Sequence, residues 1–324
     1  MPFSRLAAAT TPTAHIGFGL AAVGRPGYIT LGREADLPPS RSVEALRERT
    51  LELLDAAYAL GVRYIDVARS YGRSEEFLAD WLHARPDIHD VVIGSKWGYT
   101  YTAAWNAGAE GPHEVKDHSV AAYVRQREES AQLLGERLDL YQIHSVTPES
   151  PALTDKELHS KLAELAAEGV TIGLSVSGPE QAAAIRAALA VTVDGEPLFR
   201  TVQATYNALE TSAGPALAEA HDAGLTVLVK EAMANGRLAD PHAPAALREI
   251  AGATGLGCDA VALALVLRQP WAGVALSGAA TSVQLVSNLH AAAVDLDEEQ
   301  LERLAGLAEA PAAYWERRGQ LPWH

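Results

Sequence analysis

Several features that would place a chain in other classes are scarce here. A single cysteine, Cys258, stands among 324 residues, so no internal disulfide can form and a reducing compartment suits the chain. Cys258 itself is expected to be a small buried apolar side chain. Basic residues are few: 26 Lys and Arg against 41 Asp and Glu give a formal charge of −15. That field would repel phosphate backbones and anionic lipid, so neither a nucleic-acid nor a membrane partner is expected. No apolar run is long enough to span a bilayer, and the first residues lack the basic stretch and unbroken apolar run of a signal peptide. A cytoplasmic location is expected. Paired metal-ligand histidines and a Gly-x-Ser-x-Gly elbow are also absent, so no metal is expected and a barrel hydrolase is disfavoured.

What is present is core-forming material: 48% of residues are hydrophobic and only 21% charged, a globular composition rather than a disordered one. Length alone allows one large domain or two small ones, so pattern must decide. Short β-rich runs at 16–20, 64–67, 91–95, 140–143, 171–176, 202–205, 226–229 and 274–276 alternate with stretches of helical period. The helices are expected to begin near Ser42, Ser74, Ser119, Asp155, Pro179, Ala213, Pro244 and Ser282, residue types mostly suited to helix starts. Gly61, Gly169 and Gly224 each precede a strand, where a left-handed helix cap needs glycine. Such alternation is the mark of a parallel sheet with crossover helices, and eight βα units fit a (β/α)8 TIM barrel spanning 1–324 as one domain.

Reactive residues of such barrels lie at the C-terminal ends of strands. Applied as a filter, that rule selects Asp66 at the end of the second strand, Tyr71 in its loop, Lys96 after the third and His144 after the fourth. Each has an ordinary reading alone: a cap, a packed ring, a solvated lysine, a core histidine. Together they match carbonyl reduction, which needs a proton donor beside a developing alkoxide. A phenol is too weak an acid for this unless a neighbouring cation favours its ionised form. Lys96 would be that cation, Asp66 would hold it charged, and His144 would hydrogen-bond the carbonyl oxygen. The loops from Trp97 to His118 and from Lys230 to Ala243 are long and show no strong secondary-structure signal, as lids and binding segments do. The tail from Pro311 to His324 carries Tyr314, Trp315 and Trp323, which would either cap the barrel mouth or pack helices.

Three ordered elements carry a family resemblance. The string from Ile65 to Glu75, with Asp66, Ala68, Tyr71-Gly72 and Glu75, resembles the signature of the aldo-keto reductase family; Ser95-Lys96-Trp97-Gly98 resembles its lysine element and Asp139 to His144 its histidine element. The likeness runs from Gly17-Phe18-Gly19 to Asn288. It implies a nicotinamide cofactor, with Gly19 and Leu20 after the first strand, Ser175 and Gln203 on the carboxamide, and Gly278, Ser282, Gln284 and Asn288 at the adenosine end. The family's asparagine after the serine is Val176 here, and its stacking aromatic with Ser-Pro-Leu is replaced by Lys230-Glu231-Ala232-Met233. The Lys230 stem could cover the ring while its ammonium pairs with Glu231 or reaches the pyrophosphate.

Ala280 and Thr281 stand where many members place a basic clamp for the 2′-phosphate. Neutral donors and a helix start could replace it, as in the branch resembling potassium-channel β-subunits, or Arg237 could grip instead. NADP(H) is the first choice and NAD(H) close behind. Trp97, Tyr99 and Trp105 in the loop after Lys96 are candidate substrate contacts for an aldehyde, ketone or sugar lactol. The resemblance also leaves room for a sugar dehydrogenase forming a lactone, or for an NADP(H)-binding regulatory subunit with little turnover. Oligomeric state is not legible.

Overall fold

Glycine spacing inside the sheet shows how this chain closes. The structure, a computed structural model, describes Leu6 and residues 12–323. Eight parallel strands, Ile16–Gly19, Tyr64–Asp66, Val92–Trp97, Leu140–Val146, Thr171–Val176, Thr201–Thr205, Thr226–Lys230 and Val274–Ser277, pair with their neighbours in order and seal first to last as a barrel. A Cβ on Gly94 would lie 2.3 Å from the Tyr64 hydroxyl, and one on Gly17 would lie 2.7 Å from the same ring. Two strands therefore forgo side chains so that one tyrosine can fill the barrel interior. Its hydroxyl donates to Asp66 Oδ1 at 3.2 Å, which links the packed interior to the mouth.

The crossover helices start where the sequence places caps. Ser42 accepts from the Ala45 amide, Ser119 from Ala122, and Asp155 from Glu157 and Leu158, each satisfying amides that the first turn leaves open. Gly61, Gly169 and Gly224 adopt φ of 93°, 102° and 88°, the conformation expected of glycines that end a helix before a strand.

Several elements differ from the sequence reading. The segment from Trp97 to His118 carries an antiparallel hairpin, Tyr99–Tyr101 with Glu114–Lys116; strands this short show no readable alternation. Two helices, Ala245–Thr254 and Cys258–Leu267, precede the last strand, because the second is apolar on all sides and hides its period. Cys258 is only partly buried at the start of that helix. After the last unit come Glu298–Ala305 and Pro311–Gly319. Among the described residues no single helix is long and apolar enough to cross a membrane.

Candidate active site

Register brings the candidate acid and its cation together. Asp66 pairs with Gly94 in the sheet, so the Lys96 side chain, two residues on and on the same face, reaches back to it. The Lys96 ammonium donates to Asp66 Oδ2 and, at 3.1 Å, to the Val67 carbonyl. Both side chains are almost fully buried. Gln203 Nε2 donates to the other Asp66 oxygen at 2.9 Å. The Lys96 nitrogen lies 4.7 Å from the centroid of the Tyr71 ring. Burial, then the Asp66 charge, hold the Tyr71 phenol well above its ordinary range, so it is a proton carrier rather than an anion at rest.

His144 meets the same ring edge-on, its centroid 5.5 Å from that of Tyr71, and Tyr99 packs on it at 5.1 Å. Its aim depends on an irregularity in the fourth strand, whose pairing with the fifth shifts register between Ile143 and Val146, with Ser145 at φ 53°. Ser175 Oγ accepts from the Ser145 amide at 2.8 Å, and the His118 ring bonds the His144 carbonyl at 2.8 Å. Burial, reinforced by Lys96, Lys230 and Arg25, keeps His144 well below the ordinary imidazole range and hence neutral.

A cleft of about 540 Å³ runs from Asp66 and Tyr71 to residues 278–280. Gly19, Gln203, Lys230, Glu231, Gln284 and Asn288 line it as the sequence reading expects, as does Gly278. Gln203 Oε1 is buried there without a partner, an acceptor suited to an amide N–H of a bound nicotinamide. The far end is bordered by Asp36, Asp240 and Asp259, with Gln284 donating to Asp36 at 2.7 Å and Asn288 to Asp259 at 2.7 Å.

Other expected contacts fall elsewhere. Leu20 is fully buried and Ser175, also buried, lies on the Ser145 amide outside the cleft lining. Ser282 is exposed at the first helical position, and Thr281 is the residue that caps that helix. Arg237 turns away from the cleft to pair with Glu309. Lys230 and Glu231 do not pair: Lys230 donates to Thr205 Oγ1 at 3.0 Å, while Glu231 is bound by Arg318 at 2.6 Å. Burial draws the Lys230 amine down to about 8. Against burial, Arg318 and then Lys230 hold Glu231 at about 2.

Of the aromatic contacts expected for substrate, Tyr99 alone stays beside His144. Trp97 is fully buried between Tyr123 and His118, since its strand position points it into packing rather than out of the mouth. Trp105 donates to the Arg41 carbonyl at 2.8 Å and packs on Phe77, outside the barrel mouth. The tail divides between its two readings: Tyr314 is buried and accepts from Asn207, whereas Trp315 faces Lys230 and Trp323 stacks on His113. Residues that sequence reasoning missed are Arg25, Thr205 and Arg318. Arg25 follows the first strand, so the strand-end filter, extended to that loop, would have found it; Arg318 has no comparable signal.

The model of the Aldo/keto reductase family matches residues 16–309. Aldo-keto reductase str7 of Strobilurus tenacellus is 27% identical over 92% of either chain, and protein tas of Escherichia coli is 25% identical over 78% of this chain and 86% of its own. A crystal structure of an aldo-keto reductase from Klebsiella pneumoniae in complex with NADPH is similar at a TM-score of 0.65 and 26% identity, over 90% of both chains.

Proposed function

The chain belongs to the aldo/keto reductase family, and on that premise we propose that it is an NAD(P)(H)-dependent oxidoreductase that reduces an aldehyde, ketone or sugar carbonyl, or runs the reverse reaction, with Tyr71 as the proton donor. One observation carries the reading: the buried Lys96 ammonium, clasped by Asp66, lies 4.7 Å from the Tyr71 ring at the inner end of the cleft. A bound nicotinamide would supply or accept the hydride. Gln203 Oε1 would receive its amide, and Gly19 and residues 278–280, which line the same cleft, would hold the rest of the cofactor. Tyr71 gives its phenolic proton to the substrate oxygen, and Lys96 stabilises the phenolate as it forms. Ser70 Oγ lies 3.4 Å from His144 Nδ1. With Ser70 donating there, Nε2 carries the hydrogen and offers it to the same oxygen.

NADP(H) is the preferred cofactor in this reading, supported by the NADPH named with the Klebsiella protein. The carboxylates of Asp36, Asp240 and Asp259 along the far end favour NAD(H) as the second reading, because they repel a 2′-phosphate. The test is Tyr71→Phe. Cofactor affinity should stay near that of the parent while turnover falls by about 10²- to 10⁴-fold, the usual contribution of general acid catalysis. Turnover within about twofold of the parent would remove Tyr71 from this role.

A further inference from the structure

One buried cation at the mouth has no part in that mechanism. Arg25, in the loop after the first strand, is 1% exposed, an expensive place for a guanidinium unless its charge is used or answered. Nη1 donates to the Ser70 carbonyl at 2.9 Å and to Glu114 Oε2 at 2.8 Å. The guanidinium carbon lies 5.1 Å from the ring centroid of Tyr28, 5.1 Å from that of Tyr71 and 5.0 Å from that of Trp323. One side chain thus joins the first loop, the second loop, the hairpin and the tail around the phenol.

The backbone beneath is built for this approach. Gly72 has φ 61°, and a Cβ there would lie 2.5 Å from the Gly24 carbonyl and 2.7 Å from Arg25 Cβ. A Cβ on Gly24 would lie 2.6 Å from the Tyr71 carbonyl. The Arg73 amide donates to the Gly24 carbonyl at 2.8 Å. Glycine on both sides of the contact lets the two loops touch backbone to backbone, which fixes Arg25 against Tyr71.

We propose that Arg25 is a positioning residue: it holds the Tyr71 ring in place and sets a second fixed cation beside the phenol, in addition to Lys96. The proposal rests on Tyr71 being the proton donor. The other charges facing Tyr71 largely answer one another. Asp66 from the second strand holds Lys96 from the third, and Glu231 from the seventh is held by Arg318. His144 is neutral, Lys230 leans on Thr205, and Glu114 belongs to Arg25 itself. Burial and Asp66 push the phenol up; Arg25 is the leading influence in the opposite direction and outweighs the push of Glu114.

The test compares Arg25→Lys, Arg25→Gln and Glu114→Gln in the full chain, through the pH profile of alcohol oxidation, which rises as Tyr71 ionises. Arg25→Gln should lower turnover about tenfold and move the apparent pKa of that limb up by about one unit, since one unit is a tenfold change in ionisation. Arg25→Lys should keep the parent profile. Glu114→Gln removes the opposing charge and should move the limb down, so it decides the matter even if Arg25→Gln does not fold. Cofactor binding, followed by tryptophan fluorescence, should be unchanged in all of them. An unmoved limb in Arg25→Gln, equal damage from Lys and Gln with the parent's profile, or a limb in Glu114→Gln that stays or rises would overturn the proposal. If Tyr71→Phe is as active as the parent, the failure lies in the function itself; if it is inactive while these limbs stay put, only Arg25's role is lost.

Discussion

The floor of the cleft and its rim are built by different means. On the floor, Asp66, Lys96 and Gln203 sit on barrel strands: sheet register sets Lys96 on Asp66 from the adjacent strand, and Gln203 reaches the other Asp66 oxygen across the barrel interior. On the rim the charges are answered across loops and the tail: Arg25 reaches Glu114 across 89 residues, Glu231 reaches Arg318 across 87, and Arg237 reaches Glu309 across 72. The floor is as rigid as the sheet that carries it. The rim holds its shape only while the hairpin and the last helix stay docked. Charges answered through the sheet and charges answered across distant loops are thus divided between floor and rim, and Tyr71, in the loop after the second strand, sits where the two meet.

The floor is where single changes should cost most. Lys96→Met removes the strand-borne cation beside Tyr71 and leaves the buried Asp66 without its ion-pair partner. Turnover should fall by about 10²-fold or more, the lower range for losing support of a general acid, and what remains should shift toward higher pH because the phenolate is no longer favoured. A pH profile unchanged in height and position would show that floor and rim do not differ in the way described.

Arg318→Met should break the rim instead. It strands the Glu231 carboxylate, and because 22% of the Arg318 side chain still meets solvent, the loss should sit at or below the low end of the roughly 3–5 kcal/mol for removing one partner of a buried pair. Chemical denaturation measures it. The sign with pH is fixed by Glu231, whose pKa falls from 4.5 to about 2 on folding. Its stabilisation is complete above 4.5 and fades as pH drops toward 2, so parent and variant should converge in acid.

A smaller effect separates the cofactor readings. Ala280→Arg places a guanidinium at the acidic far end and should raise the NADPH-to-NADH affinity ratio about tenfold, which is roughly 1.4 kcal/mol. An unchanged ratio in equilibrium binding would mean that the 2′-position lies away from residue 280. Smallest of all, Lys230→Met removes an amine whose pKa falls from 10.5 to about 8 on folding. The charged amine costs stability below 8, and the parent should gain stability between 8 and 10.5. The variant should therefore melt about 2–4 °C higher at neutral pH, the shift expected for about 1 kcal/mol in a larger chain, with the difference vanishing in alkali. A variant that melts lower would make Lys230 a stabilising partner of Thr205.

The same division explains what could be read in the sequence. Asp66, Tyr71, Lys96 and His144 could be singled out because a strand pattern fixes its own ends, and because four polar residues at such ends, each ordinary alone, match one chemistry together. Gln203, in the middle of its strand, was named only through the family resemblance. Trp97 was misread because an aromatic beside Lys96 looks the same in sequence whether it turns toward the mouth or, as here, into the packing of Tyr123. A direct Lys230–Glu231 pair was one of two readings of the Lys230 ammonium; instead both side chains meet on Thr205 Oγ1, which accepts from Lys230 and donates to Glu231, and the charge that answers Glu231 comes from Arg318 in the last helix. The hairpin, the bulge after His144 and the tail's embrace of Arg25 depend on contacts between distant segments, which no local pattern records.

Everything proposed for Tyr71 requires that this cleft take up a nicotinamide cofactor. The direct test is equilibrium titration of the purified chain with NADPH and with NADH, followed through tryptophan fluorescence, with Trp315 5.9 Å from the Lys230 ammonium as a reporter at the cleft. Saturable quenching by at least one of them, retained in Tyr71→Phe, is the expected result. A folded protein whose fluorescence responds to neither, and which retains neither on equilibrium dialysis, would contradict it.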